Sequence, residues 1–263
     1  MRLLPTKAQR VRFDKFFQKK MLLPPRFGNL ENFYYKCFSF LELFRAQGID
    51  KLLGSYGEVY PNLVRVFYSN LVIEKGVINS NVKGISITLT IIFFGESLGI
   101  PHEGVGIRIN VNANLPGYNK RDILELLGSL NINFFRKGRK LLVLIRKETL
   151  VPKFANFSTV SDCEMQILYA IKNNIHVNWA YVILNHLTMR TEFACGFRYA
   201  HLYTYVLNQN NLNLVGERVL EMVPPDNKIT QKKVYNTKTR AKFDPITRTI
   251  TYINPPQEQA PQE

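Results

Sequence analysis

A chain of 263 residues, 46% of them hydrophobic, is long enough to bury a sizeable core as one large domain or two small ones. Its formal charge of +15 and pI near 9.7 favour polyanionic partners, nucleic acid ahead of an acidic membrane surface, unless the charge serves solubility alone. The three cysteines, Cys37, Cys163 and Cys195, are odd in number and far apart, which argues against a disulfide framework and for a reducing intracellular compartment, nucleus or cytoplasm. No secretory h-region follows the basic N-terminus, and no apolar run approaches the ~20 residues that span a bilayer, so the expectation is a protein that is neither secreted nor membrane-bound.

Residues 1–28 form a basic N-terminal arm. Arg2, Lys7, Arg10, Arg12, Lys15, Lys19 and Lys20 face one acid, Asp14, and interleave with Phe13, Phe16 and Phe17. Such a segment either docks its rings on a folded domain or grips phosphates and stacks on bases; docking is the preferred reading. Asn29 suits the N-cap of a helix running to Gln47, with Gly48 as its stop. Along it Leu30, Phe33, Tyr34, Cys37, Leu41 and Phe44 repeat at helical spacing and define a buried face. A loop from Gly54 to Gly57 follows.

The densest run of signals lies between Tyr60 and Gly104. Pro61 fits the first position of a helix, where its missing N–H is harmless. Leu63, Val64, Phe67 and Tyr68 supply one apolar face. Val72 to Ile78 and Val82 to Ile87 are β-branched runs around the polar triplet Asn79-Ser80-Asn81, a pattern that predicts a hairpin turning at the triplet. Thr88 is expected to cap a helix from Leu89 to Leu98, ended by Gly99 and barred from continuing by Pro101.

Downstream, Ile107 to Val111 suggests a short strand, and Asn119 caps a helix Lys120–Leu127 closed by Gly128. Arg136, Lys137, Arg139, Lys140, Arg146 and Lys147 surround the apolar run Leu141–Ile145, which reads as a helix with a basic rim. After a linker at Pro152–Thr159, Ser161 and Glu164 form a capping box for a helix Asp162–Lys172. Asn173-Asn174 turns the chain into a helix Val177–Met189, with Ala180, Ile183, Leu184 and Leu187 on its buried face. Arg198–Asn208 is the last expected helix of a domain spanning residues 29–221. Residues 222–263 form a basic, then Pro- and Gln-bearing tail expected to be flexible. Its alternation from Thr247 to Ile253 allows one edge strand.

Three motifs in order, LVRVFYSNL, NVKGISITL and LGIPHEG, resemble the plant transposon protein domain found in plant open reading frames linked to mobile elements. That family shows an L-V-x-x-F-Y-x-N-L helix, a V-x-G strand entry and an L-G-I-P helix end. The run LYAIKNNIHVNWAYVILNHL extends the resemblance, which covers roughly Leu30 to Val219. HLYTYVLNQ departs from the L-I-T-x-L of many relatives at the C-terminal end. The resemblance implies a mobile-element-derived protein and supplies no catalytic residues.

The residues offer little to catalysis. There is no Cys-x-x-Cys, and in His102-Glu103 the second histidine of a metalloprotease helix is replaced by Gly106. His176 and His186 are too far apart for one helical face at i, i+4, and His201 is isolated. Gly104-Val105-Gly106 lacks the third glycine of a dinucleotide fingerprint, and no P-loop exists. Asp122, Asp162 and Glu164 are the only carboxylates worth weighing as a metal-dependent nuclease set, but helix starts explain them. A thiol pair of Cys163 with His176 or His186 lacks any activating neighbour.

The expected fold is therefore mainly α with a small β-hairpin, an α+β, helix-dominated single globular domain with basic flanking segments. The expected function is non-enzymatic, with no cofactor: a nucleic-acid or protein interaction unit that binds DNA or RNA through phosphates, sensitive to salt and with little base specificity. The candidate contacts are Lys19, Lys20, Arg136, Lys137, Arg139, Lys140, Lys232, Lys233, Lys238 and Arg240. The alternative is a structural protein that binds itself or another protein, and a more distant one is a divergent metal-dependent nuclease or transposase fragment.

Overall fold

The computed structural model describes residues 3–4, 6–22, 40–55, 57–108, 115–121, 161–188, 196–197, 199–220, 241–243 and 250–252. Helices and a small antiparallel sheet share the fold, which is α+β. Among the described residues no helix is long and apolar enough to cross a membrane.

Helix α1, Lys7–Phe16, opens with a capping box: the Thr6 hydroxyl accepts from the Gln9 amide, and the Gln9 side chain accepts from the Thr6 amide. Just beyond it Phe17 is fully buried and stacks on Phe197, ring centroids 6.0 Å apart and planes within 2°. The chain continues into β1, Met21–Leu22, which pairs in parallel with Gly196–Phe197. The arm is thus docked on the core.

Helix α2, Phe40–Ala46, ends at Gly48, whose φ of 65° reverses the chain. The expected start at Asn29 lies outside the described residues. A short α3, Asp50–Gly54, occupies a stretch to which no element was assigned, because Leu52 and Leu53 both reach the core. Helix α4, Pro61–Ser69, starts on its proline as expected, and Leu63, Val64, Val66, Phe67 and Tyr68 are all buried.

The hairpin expected around Asn79-Ser80-Asn81 is instead a three-stranded meander. Strands β2, Val72–Glu74, β3, Val77–Val82, and β4, Ile85–Leu89, pair antiparallel in that order. The turns fall at Lys75-Gly76 and Lys83-Gly84. All four residues have positive φ (48°, 80°, 52° and 80°), the twist that matches two-residue hairpins. Two Lys-Gly pairs therefore displace the triplet from the turn to the middle strand. There Ser80 points inward and donates to the Phe67 carbonyl at 2.7 Å, tying sheet to α4.

The cap of the next helix also moves. Thr88 lies in β4 and donates to Asn79 Oδ1 at 2.9 Å, whereas Thr90 accepts from the Phe93 amide and caps α5, Ile91–Leu98. Gly99 ends α5 in the left-handed conformation, as expected. Of the strand suggested at Ile107–Val111, Ile107 and Arg108 are not in a strand, and the rest lies outside the described residues.

Helix α6, Asp162–Lys172, carries the expected capping box. Helix α7, Trp179–Thr188, starts two residues later than expected: Val177 bridges Val105, and Asn178 Oδ1 accepts from the Tyr181 amide at 2.8 Å as the cap. Strand β5 is Gly196–Phe197, and α8, Ala200–Gln209, follows Tyr199 rather than starting at Arg198. In the C-terminal segment, expected to be flexible, β6, Ala241–Phe243, lies where no strand was expected and pairs antiparallel with β7, Ile250–Tyr252, inside the Thr247–Ile253 stretch, as a separate two-stranded ladder.

The core is one buried cluster in which α5 packs on α7 and α8, α4 on β3, and α1 on α4. Its centre is aromatic. Phe197 stacks on Tyr68 at 4.1 Å, and Tyr203 lies 5.2 Å from Tyr68 and 4.7 Å from Phe67. Phe17 joins α1 to this stack. Phe17→Ala is expected to lower unfolding stability by about 3 kcal/mol in urea titration, the low end for a buried phenylalanine. An unchanged midpoint would show that the arm is not part of the core.

Candidate functional site

Of the expected phosphate contacts, only Lys19 and Lys20 lie among the described residues. Arg136, Lys137, Arg139, Lys140, Lys232, Lys233, Lys238 and Arg240 lie outside them. Lys19 is exposed in the turn after α1. Lys20 is half-buried, its ammonium 5.0 Å from the Phe17 ring centre and 5.6 Å from that of Phe197. Arg12 also covers Phe17, at 5.6 Å. The aromatic anchor of the arm thus holds two of its cations, an interaction worth ~0.5–1 kcal/mol each at exposed sites.

The fold adds two cations that sequence spacing did not group with the arm. Arg65, on α4, donates through Nε to the Lys20 carbonyl at 3.0 Å and through Nη1 to Asn62 Oδ1 at 3.5 Å. Arg218 is brought close by the antiparallel bridge between Val59 and Leu220, whose two N–H···O bonds are 3.0 and 2.8 Å long. Burial, and then the charge of Arg218, lower the pKa of Arg65. Neither arginine is paired with a carboxylate among the described residues. Arg65 sits within an apolar helix run and Arg218 far along the chain, so only tertiary packing unites them with Lys20.

Helix α1, the end of α4 and the sheet line a cleft of about 630 Å³. Gln9 and Arg12 line it from α1, Asn79 and Asn81 from β3, Ser86 and Thr88 from β4. In the sheet register Asn79 lies opposite Thr88 and Asn81 opposite Ser86, so alternate polar positions share one face. Asn81 is fixed by accepting from the Gly84 amide at 3.1 Å, and its carbonyl accepts from Asn70 Nδ2 at 2.7 Å. Reading Asn79-Ser80-Asn81 as a turn concealed this face. The signal that would have found it is the pair of Lys-Gly dipeptides, which take both turns and leave the triplet in the strand between them.

The residues weighed for catalysis have structural partners. Asp162 pairs with Lys120 at 2.6 Å, and the buried Glu164 carboxylate accepts from the Ser161 amide and hydroxyl at 2.6 and 2.8 Å. Asp122 lies outside the described residues. Cys163 is buried in α6, and His176 is exposed. His102 lies in a loop, so close to α5 that a Cβ on Gly95 would stand 2.5 Å from its own Cβ. A Cβ on Gly104 would stand 2.5 Å from the His176 carbonyl oxygen, and its φ of 102° is a further backbone reason for a glycine there. Among the described residues no group of three or more His, Cys, Asp or Glu side chains is placed to hold a metal.

His186 and His201 are both buried in the core. His186 Nδ1 shares a 2.7 Å hydrogen bond with the Tyr199 hydroxyl. His201 Nδ1 is buried without a hydrogen-bond partner among the described residues, and burial pushes its pKa down to about 4. A scan against protein-family models and searches of curated proteins and solved structures each find no match to this chain.

The shift at His201 fixes a pH dependence. Its folded pKa lies below the ordinary 6.5, so the unfolded chain binds the proton more readily. Its contribution to stability is complete above pH 6.5 and is lost as pH falls to about 4, amounting to roughly 3 kcal/mol. Urea titrations at pH 7 and pH 4 should show that extra loss in the parent chain relative to His201→Leu. Equal losses would mean that His201 is not buried neutral.

Proposed function

We propose that this chain is a non-enzymatic nucleic-acid interaction unit of the mobile-element-derived kind that its LVRVFYSNL, NVKGISITL and LGIPHEG motifs resemble. It works inside the cell as a helix-dominated single domain flanked by basic segments. The observation that carries the reading is the approach of Arg218 to the half-buried Arg65, beside the backbone of Lys20. Holding like charges together with one of them half-buried costs free energy, and a phosphate placed among them would offset it. The net charge of +15 supplies the long-range attraction. Contacts of this type fix a backbone without reading bases, so binding is salt-dependent and of low sequence specificity.

Fluorescence anisotropy with labelled duplex DNA and single-stranded RNA across a salt series tests this. Replacing Arg65 and Arg218 with Gln should reduce the slope of log K against log salt by about 2, close to one for each phosphate no longer neutralised. Arg218→Gln alone, at an exposed position, should reduce it by about 1 without affecting the fold. An unchanged slope counts against the cluster, and no binding at low salt counts against the reading as a whole.

One observation favours self-association instead. Strand β2 is an edge of the sheet, and its Val72 and Ile73 are 48% and 47% exposed. An open apolar edge is a template for a second strand. Light scattering after size exclusion should then show a concentration-dependent dimer that Ile73→Lys abolishes. A monomer at all concentrations removes this alternative.

A further inference from the structure

We propose that the cleft between α1 and the three-stranded sheet binds ribose phosphate, so that the protein prefers RNA to DNA. The volume of about 630 Å³ falls within the range usual for ligand sites, and the lining is unusual in what it lacks. Among the described residues that line it there is no carboxylate and no aromatic ring. A phosphate therefore meets no like charge from those residues, and Arg12, whose guanidinium also lies over Phe17, brings positive charge to the lining. A base, by contrast, finds no ring to stack on.

The polar groups match a sugar. Asn81 Oδ1 is occupied by the Gly84 amide, which leaves its NH₂ to donate. Asn79 Oδ1 takes the Thr88 hydroxyl proton, which leaves the Asn79 NH₂ as donor and the Thr88 oxygen as acceptor. Ser86 adds a hydroxyl on an exposed position beside them. Donors and acceptors mixed in this way suit hydroxyls, which do both. Within a strand the 3′ and 5′ oxygens are esterified, so the 2′-hydroxyl is the sugar hydroxyl on offer, and DNA lacks it. For a strand as the source, the inference rests on the phosphate-binding reading above. A free sugar phosphate presents the same chemistry.

The intact chain should be titrated with single-stranded RNA and DNA of matched sequence at one salt concentration. In parallel, ribose 5-phosphate and 2-deoxyribose 5-phosphate should be followed through the Asn79 and Asn81 side-chain amide signals by NMR. RNA is expected to bind about fivefold more tightly than DNA, the effect of one or two net hydrogen bonds. Ser86→Ala with Thr88→Val, both at exposed positions, should bring RNA down to the DNA affinity while leaving DNA unchanged. That result assigns the cleft to a strand. Equal RNA and DNA affinities, with the asparagine signals moved by ribose 5-phosphate and not by its deoxy form, assign it to a free sugar phosphate. Equal affinities with unmoved signals overturn the proposal. If neither strand binds even at low salt, the nucleic-acid reading fails and the sugar phosphate titration alone decides the cleft.

Discussion

The stack of Phe17 on Phe197, continued onto Tyr68 and Tyr203, is the interaction on which the rest depends. It joins residues from the arm, β5, α4 and α8, segments that have no local reason to meet. Each ring pair adds about 0.5–1.5 kcal/mol beyond the area it buries. The greater effect is positional. Phe17 turns a charged helix that would be marginal in isolation into a fixed part of the surface, since a ten-residue helix with no buried residues of its own does not hold itself. The parallel pairing of Met21–Leu22 with Gly196–Phe197 then locks its exit.

Electrostatics follow from that docking. A flexible arm with this many cations would spread out to lower its repulsion. Here Lys20 and Arg12 lie over the buried ring, and Arg65 holds the backbone of Lys20. Arg65 is the costly member, because burial and Arg218 both oppose its charge. Its hydrogen bonds to the Lys20 carbonyl and to Asn62 use two of the five guanidinium N–H donors and neutralise nothing. Other cations of the chain are spent on structure. Lys83 pairs with Glu217 at 2.5 Å and donates to the Asn213 carbonyl, which closes the last loop onto the sheet.

Local chemistry was legible wherever it was self-contained. The capping box of Ser161 and Glu164, the proline start of α4 and the glycine stop of α5 depend only on neighbours in sequence, and each stands where its residues put it. Errors arose where two local signals competed. Asn-Ser-Asn is a familiar turn composition, yet Lys-Gly on both sides already provided the positive φ that a two-residue turn requires. Once both turns are placed, Thr88 falls within a strand and the next threonine, Thr90, takes the cap. The candidate site was less legible than the fold. Arg65 reads as a lone charge in an apolar helix, and its contact with the Lys20 backbone and its nearness to Arg218 exist only after packing.

The cleft and the cation cluster share one dependency. Helix α1 lines the cleft with Gln9 and Arg12, and the turn that follows it presents Lys20 to Arg65. A ligand held by either set binds only the docked helix. By linkage it stabilises the docked form in proportion to the logarithm of its concentration over its dissociation constant. An arm anchored mainly through Phe17 and two short strands is thus the element whose position a phosphate-bearing ligand would tighten most. The constraint that builds the surface is the one through which binding would be felt in the fold.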